Sequence, residues 1–158
     1  INSRHQNYKN LNHNLEKLKE FLKNNKNIKV YLTQEGELTK ELINEYGKYK
    51  QFVFTGYLEF QDYYNLINNS CGIIFPSRDE DFGISALDAY NLDIPVLVQR
   101  SCGFSEILSN KYNYFYNDNS FYTVLSKLSS TNPIDQITYP NKIDLKKTFF
   151  VELNEILF

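Results

Sequence analysis

Short apolar runs alternate along this chain with longer stretches in which apolar residues recur at helical spacing. Ile73-Ile74-Phe75, bounded by Gly72 and Pro76, carries no alternation, which suits a strand covered on both faces. Pro95-Val96-Leu97-Val98 reads as a second buried strand, and Ile28 to Thr33, Phe52-Val53-Phe54 and Tyr112 to Tyr116 as three more. Between them lie helical patterns. Leu11, Leu15, Leu18, Phe21 and Leu22 mark one face of a helix ending near Asn24-Asn25. Leu38, Leu42, Ile43 and Tyr46 define another, which Gly47 ends, and Phe60 to Asn69 forms a short one using Tyr63, Tyr64 and Ile67. Ile84, Leu87 and Tyr90 predict a fourth, and Phe121, Val124, Leu125 and Leu128 a fifth. Turns are expected at Gln34-Glu35-Gly36 and at Thr55-Gly56. Strands that alternate with helices demand an α/β fold, a doubly wound parallel sheet with helices on both faces. Beyond Leu128 the period lapses into a loop, Ser129 to Asn141, with Pro133 and Pro140. A final amphipathic helix, residues 144–158, comes next as packing.

The stretch from Gly72 to Glu106 holds the candidate chemistry. A polar loop, Ser77 to Asp81, leads through Phe82-Gly83 into the helix opening at Ile84. Strand, loop, glycine, helix and strand make a βαβ unit, and such units place ligands beyond the carboxyl ends of their strands. Gly83 lets a ligand approach the first amides of the helix, whose free N–H groups and dipole favour an anion such as phosphate. Glu80 lies just before this turn and Asp88 one turn beyond it. Carboxylates repel phosphate but accept hydrogen bonds from sugar hydroxyls. A ligand carrying both phosphates and sugar hydroxyls satisfies the set.

Composition narrows the classes. With 158 residues, 42% hydrophobic and 16% aromatic, the chain fits one globular domain, residues 1–158. A net charge of -2 argues against a general nucleic-acid binder. No apolar run approaches membrane-spanning length and no signal peptide is visible. Cys71 and Cys102 lack metal-ligand spacing and read as buried free thiols, pointing to a reducing, cytoplasmic setting. Ile1 opens a chain with no methionine, which predicts a piece excised from a longer polypeptide. No G-x-G-x-x-G occurs near the start and there is no P-loop. With only His5 and His13 as histidines, a metal centre lacks ligands.

Pro76-Ser77, Glu80-Asp81-Phe82-Gly83-Ile84, Leu87-Asp88-Ala89, Pro95-Val96 and Gly103 to Glu106 together resemble the donor-binding, C-terminal domain of GT-B glycosyltransferases, family 4. That family's segment runs Pro-Ser, two residues, Glu-Gly-Phe-Gly, Leu-Glu-Ala and Gly-x-Pro-Val. Two departures stand out: Asp88 replaces glutamate, and Asp93 stands where a glycine precedes x-Pro-Val.

The resemblance implies a Rossmann-like GT-B C-terminal half whose first strand is largely truncated before Ile1. It implies a retaining, metal-independent hexosyltransferase that needs no cofactor and takes a UDP-sugar or GDP-sugar as substrate. Arg4 and Lys9 on counting alone are two exposed cations among many; the resemblance makes them the pair that binds the donor diphosphate. Glu80 then orients the transferred sugar, Asp88 the ribose, and Phe82, Gly83 and Ile84 line the phosphate seat. Tyr57, after Gly56, lies where backbone groups meet the nucleobase, and Glu106 lies near the pocket. The partners implied are the nucleotide-sugar donor and the chain's own N-terminal acceptor domain, with peripheral membrane association open to the full-length protein. A non-catalytic interaction module on the same fold is the competing expectation.

Overall fold

The computed structural model describes residues 10–77, 84–92, 94–103 and 113–130. They form five helices and five strands, helix and strand alternating as far as β4: α1 (Leu11–Lys23), β1 (Val30–Thr33), α2 (Thr39–Tyr46), β2 (Phe52–Gly56), α3 (Phe60–Asn68), β3 (Ile73–Phe75), α4 (Ile84–Asn91), β4 (Val96–Gln99), β5 (Asn113–Tyr116) and α5 (Phe121–Ser130). All pairings are parallel. β1 pairs with β2 from Val30↔Phe52 onward, and β4 lies between β3 and β5 in register Ile73↔Val96 and Val96↔Asn113. The described strands thus form two parallel sheets, in the orders β1-β2 and β3-β4-β5.

Two cores cover the two faces. Ile74 and Leu97 join one cluster, while their neighbours Ile73, Phe75, Val96 and Val98 join the other. Successive strand residues point to opposite faces, so the clusters lie on opposite sides of the sheet. The first core takes Leu11, Leu15, Leu18 and Leu22 of α1, Leu42 and Tyr46 of α2, and Phe121 and Leu125 of α5. The second takes Ile67 of α3 with Ala86 and Ala89 of α4. Helices on both faces make the domain doubly wound, as the alternation predicts. Each leucine of α1 is at most 2% exposed, and burying one such side chain is worth about 1.5–3 kcal/mol.

Several local expectations shift. The first described strand begins at Val30, because Ile28 is held in a turn: its amide donates to the Asn25 carbonyl at 3.2 Å, and its own carbonyl accepts from Gln51 Nε2 at 3.1 Å. Ile43 is exposed, since Leu42 and Tyr46, four apart, already share the inward face. Gly47 ends α2 without a left-handed turn, at φ -62; a Cβ there would meet the Ile43 carbonyl oxygen at 2.5 Å. α5 runs through Ser129 and Ser130, which the lapse in period assigns to a loop, and Ser129 Oγ donates to the Ser126 carbonyl at 3.0 Å. Neither cysteine is in a disulfide; Cys102 is buried and Cys71 half-buried. The short helix expected at Phe104, most of the loop to Asn141 and the helix over residues 144–158 lie outside the described residues.

Candidate functional site

In parallel α/β sheets the carboxyl ends of the strands face the ligand, so the loops leaving β1, β2, β3 and β4 build the site. The loops after β1 and β2 are tied together. Gln34, at φ 73, donates its amide to the Gly56 carbonyl at 3.0 Å, and Gly56 is itself left-handed at φ 67. A bulge between Leu32 and Thr33 sets Thr33 opposite Gly56. Gly36 then donates to Thr39 Oγ1 at 2.8 Å, closing the turn into α2. Tyr57 comes directly after Gly56 and is 69% exposed at this edge.

Phe60 opens α3 and Ile84 opens α4, both at the carboxyl edge. Tyr64 and Asp88 each lie four residues on, one helical turn below that edge, and helical side chains tilt back toward the helix start. Asp88 is half-buried, and desolvation pushes its carboxyl above the usual carboxylate range. Burial pushes the Tyr64 phenol up as well, and the charge on Asp88 adds to the shift. Tyr64 is held in place by its ring contacts, with Phe60 at 4.3 Å and Tyr63 at 5.9 Å between centroids. The second predicted carboxylate is thus half-buried in a low-dielectric setting, near enough to Tyr64 for its charge to be felt there. Nothing in the spacing of α3 alone points to Tyr64 as its neighbour; the helical offset from Phe60 matched to that of Asp88 from Ile84 is the signal.

Two further polar groups lie at the same edge. Ser77, just past β3, is 2% exposed, and Gln99, the last residue of β4, is 9% exposed. Ser77 Oγ and Gln99 Oε1 have no hydrogen-bond partner among the described residues. A buried oxygen left unpaired costs about 1–3 kcal/mol, and native structures relieve such groups with water or ligand.

Of the predicted site residues, Tyr57, Asp88 and the backbone of Ile84 are described, and all three lie at or one turn below the carboxyl edge. Arg4, Lys9, Glu80, Phe82 and Gly83 lie outside the described residues, as do Asp93 and Glu106. Among the described residues no group of three or more His, Cys, Asp and Glu gathers to hold a metal ion. No described helix is long and apolar enough to cross a membrane.

The sequence profile of the family described as Glycosyl transferases group 1 matches residues 2–128, most of the chain. This chain belongs to the group 1 glycosyltransferases. No curated protein matches it in sequence. Among solved structures, the crystal structure of TarM superposes with a TM-score of 0.72 at 18% identity, over 83% of this chain and 27% of that one. The apo lipopolysaccharide outer core galactosyltransferase WaaB gives 0.65 at 16%, over 85% of this chain and 40% of that one. Anabaena Alr3699/HepE, solved in complex with UDP, gives 0.66 at 16%, over 83% and 38%. At these identities the likeness establishes the fold, a Rossmann-like domain of the GT-B C-terminal type. The chain spans between 27% and 40% of the length of these structures.

Proposed function

We propose that this chain is the donor-binding domain of a retaining, metal-independent, family 4 hexosyltransferase that moves a sugar from a nucleoside diphosphate to an acceptor. The observation that carries the reading is the placement of Asp88: a half-buried carboxylate one turn into the helix after β3, at the edge where ligands enter, in a group 1 family chain. A carboxylate there accepts hydrogen bonds from the ribose hydroxyls. Glu80 orients the hydroxyls of the transferred sugar. Arg4 and Lys9, with the amides at Gly83 and Ile84, take up charge developing on the departing diphosphate, which is electrostatic stabilisation of a leaving group. No side chain of this chain serves as nucleophile. Tyr57 and its backbone meet the nucleobase.

The acceptor belongs to an N-terminal domain, and the cleft between the two domains forms the active site in a cytoplasmic enzyme. The 158-residue chain alone therefore binds nucleotide weakly and turns over little, because a half-site open to water loses both orientation and electrostatic strength. UDP bound to HepE favours testing uridine nucleotides first. Titration with UDP, GDP and ADP while following melting is the direct test. A nucleotide at a hundred times its Kd stabilises by about 2.7 kcal/mol. A flat response to every nucleotide would instead identify an interaction module that has kept the fold without the donor site.

A further inference from the structure

Gln99 ends β4 as its one polar residue, after Val96, Leu97 and Val98. It is nine-tenths buried, and its Oε1 is out of contact with water and accepts from no group among the described residues. An apolar side chain of the same volume would carry no such cost, so the sequence keeps an amide here at the expense of stability. A local rule broken without a structural return is the mark of a functional position. Gln99 also has a neighbour in the same state. β3 and β4 run in register as far as Phe75↔Val98, so Ser77 and Gln99 leave adjacent strands side by side at the ligand-facing edge. Ser77 Oγ is buried and likewise without a partner among the described residues.

We infer that Gln99 is a specificity-determining residue of the donor site, its Oε1 accepting a hydrogen bond from a hydroxyl of the transferred sugar. The inference rests on the donor-binding reading and deepens it. A side-chain carbonyl accepts and never donates, so only an O–H or N–H relieves it. The diphosphate offers acceptors alone at neutral pH and is excluded as the partner. In the donor reading the ribose hydroxyls go to Asp88, and the nucleobase goes to Tyr57 on the rim of β1 and β2, in the other sheet. What remains is the sugar. Glu80, assigned to that sugar, stands in sequence between β3 and α4, within the βαβ unit that Gln99 closes. The terminal amide torsion of glutamine is broad and roughly two-fold, so a hydroxyl arriving at the edge can draw the oxygen round to meet it. Selectivity follows from the same chemistry. A sugar without that hydroxyl leaves the buried oxygen unpaired, and a site built around such a bond rejects the analogue that lacks it.

The test separates the sugar from the nucleotide. Binding of UDP, UDP-glucose, UDP-galactose, UDP-N-acetylglucosamine, GDP and GDP-mannose to the chain is measured by calorimetry with no acceptor present, and the gain of each sugar nucleotide over its bare nucleotide is the readout. The parent should favour at least one sugar nucleotide. Gln99→Met keeps the volume and removes the acceptor. It should leave bare-nucleotide affinity within about twofold, cut the gain from the sugar by about tenfold, and melt no lower than the parent. Gln99→Glu retains an acceptor at the same reach and should keep most of the gain. With the favoured sugar, deoxyfluoro analogues carry the assignment to one hydroxyl: fluorine cannot donate, so the analogue at that position should bind the parent about tenfold more weakly and Gln99→Met no more weakly than the natural sugar does. An unchanged gain in Gln99→Met, equal losses for nucleotide and sugar nucleotide, or a lower melting temperature would overturn the inference, and the oxygen would then be paired by water or serve the fold. If nucleotides bind and only the sugar gain is absent, this inference fails alone; if no nucleotide binds the parent, the donor reading fails and takes the inference with it.

Discussion

The Gln34 amide donates to the Gly56 carbonyl at 3.0 Å, and both residues hold left-handed backbone, at φ 73 and φ 67. This single bond ties the loops after β1 and β2 into one rim at the ligand-facing edge, with Tyr57 carried on it. Glycine meets the torsion at Gly56 at no steric cost, whereas an L side chain there costs about 1–2 kcal/mol. A Cβ would also lie 2.8 Å from Glu35 Oε1, but that is the tip of a flexible side chain and can move aside. Gly56→Ala is therefore expected to lower unfolding stability by about 1–2 kcal/mol in urea titration. Combining it with Glu35→Ala should not restore the loss, because the strain is in the backbone. Full rescue by the second substitution would place the cost in the contact with Glu35 instead.

Asp88 sets stability against binding. Its folded-state carboxyl holds its proton more tightly than in the unfolded chain, because burial penalises the charge. Stability therefore falls as pH rises through the ordinary carboxylate range toward the raised value, and is level above it. Asp88→Asn removes the buried charge, so the variant should be at least as stable as the parent at neutral pH, and its melting should vary less as pH rises through and beyond the ordinary carboxylate range. If the Asp88 carboxylate accepts from ribose, the same change should weaken nucleotide affinity about tenfold. Asp88→Glu restores the residue of the resembling family and should bind at least as well as the parent. Asp88→Asn that melts lower and binds UDP unchanged would mean the carboxylate is structural.

These two sites mark how far the sequence could be read. Ile73–Phe75 and Val96–Val98 are legible as doubly covered strands because burial on both faces leaves only apolar residues, and the two cores they feed are therefore implied. α1 is legible from Leu11, Leu15, Leu18 and Leu22, every one of them buried. Less visible are features made by backbone conformation or by pairs distant in sequence. Gln34 carries no signal of left-handed backbone, and Gln51 Nε2 reaches the carbonyls of Asn25 and Ile28 at 2.9 and 3.1 Å only because β2 returns beside β1. The position of Asp88 one turn into α4 can be read from the chain, but its neighbour Tyr64 arises from helix packing that no local pattern encodes. The oxygens of Ser77 and Gln99, without a partner among the described residues, belong to the same class.

Asp118 gathers two basic groups from α1. Its Oδ1 accepts from Lys17 Nζ at 2.8 Å and lies 2.9 Å from His13 Nε2, joining the loop before α5 to the start of the first helix. Hydrogen bonds from Lys17 and then His13 hold its carboxyl at about 2. A depressed folded value means the contribution is complete above the unfolded carboxylate range and is lost as pH falls through it toward about 2. Half of the Asp118 side chain is exposed, so solvent screening limits the worth of the pair to about 0.2–1 kcal/mol. Asp118→Asn should lower Tm slightly at pH 7, less so in high salt, and the difference from the parent should close near pH 2. A gap that persists at that pH would assign the effect to the neutral hydrogen bonds.

Arg4 and Lys9 test the chemistry in the full-length enzyme. If they face the diphosphate, their contribution grows as the glycosidic bond breaks and negative charge builds on the leaving oxygen. Their removal then lowers kcat more than it raises the donor KM. By analogy with loss of one oxyanion donor, Arg4→Ala should reduce kcat/KM by about 10²–10³ with Tm unchanged. Arg4→Lys keeps the charge but not the planar fork that spans two phosphate oxygens, so it should recover only part of the loss. Lys9 acts as a point charge, and Lys9→Arg should be milder than Lys9→Ala. Salt offers an independent check, since counterions compete for the diphosphate and the parent should lose more affinity for UDP at high ionic strength than Arg4→Ala does. Normal turnover by Arg4→Ala would move the diphosphate away from the start of the chain, and leaving-group stabilisation would then fall to the amides that open α4.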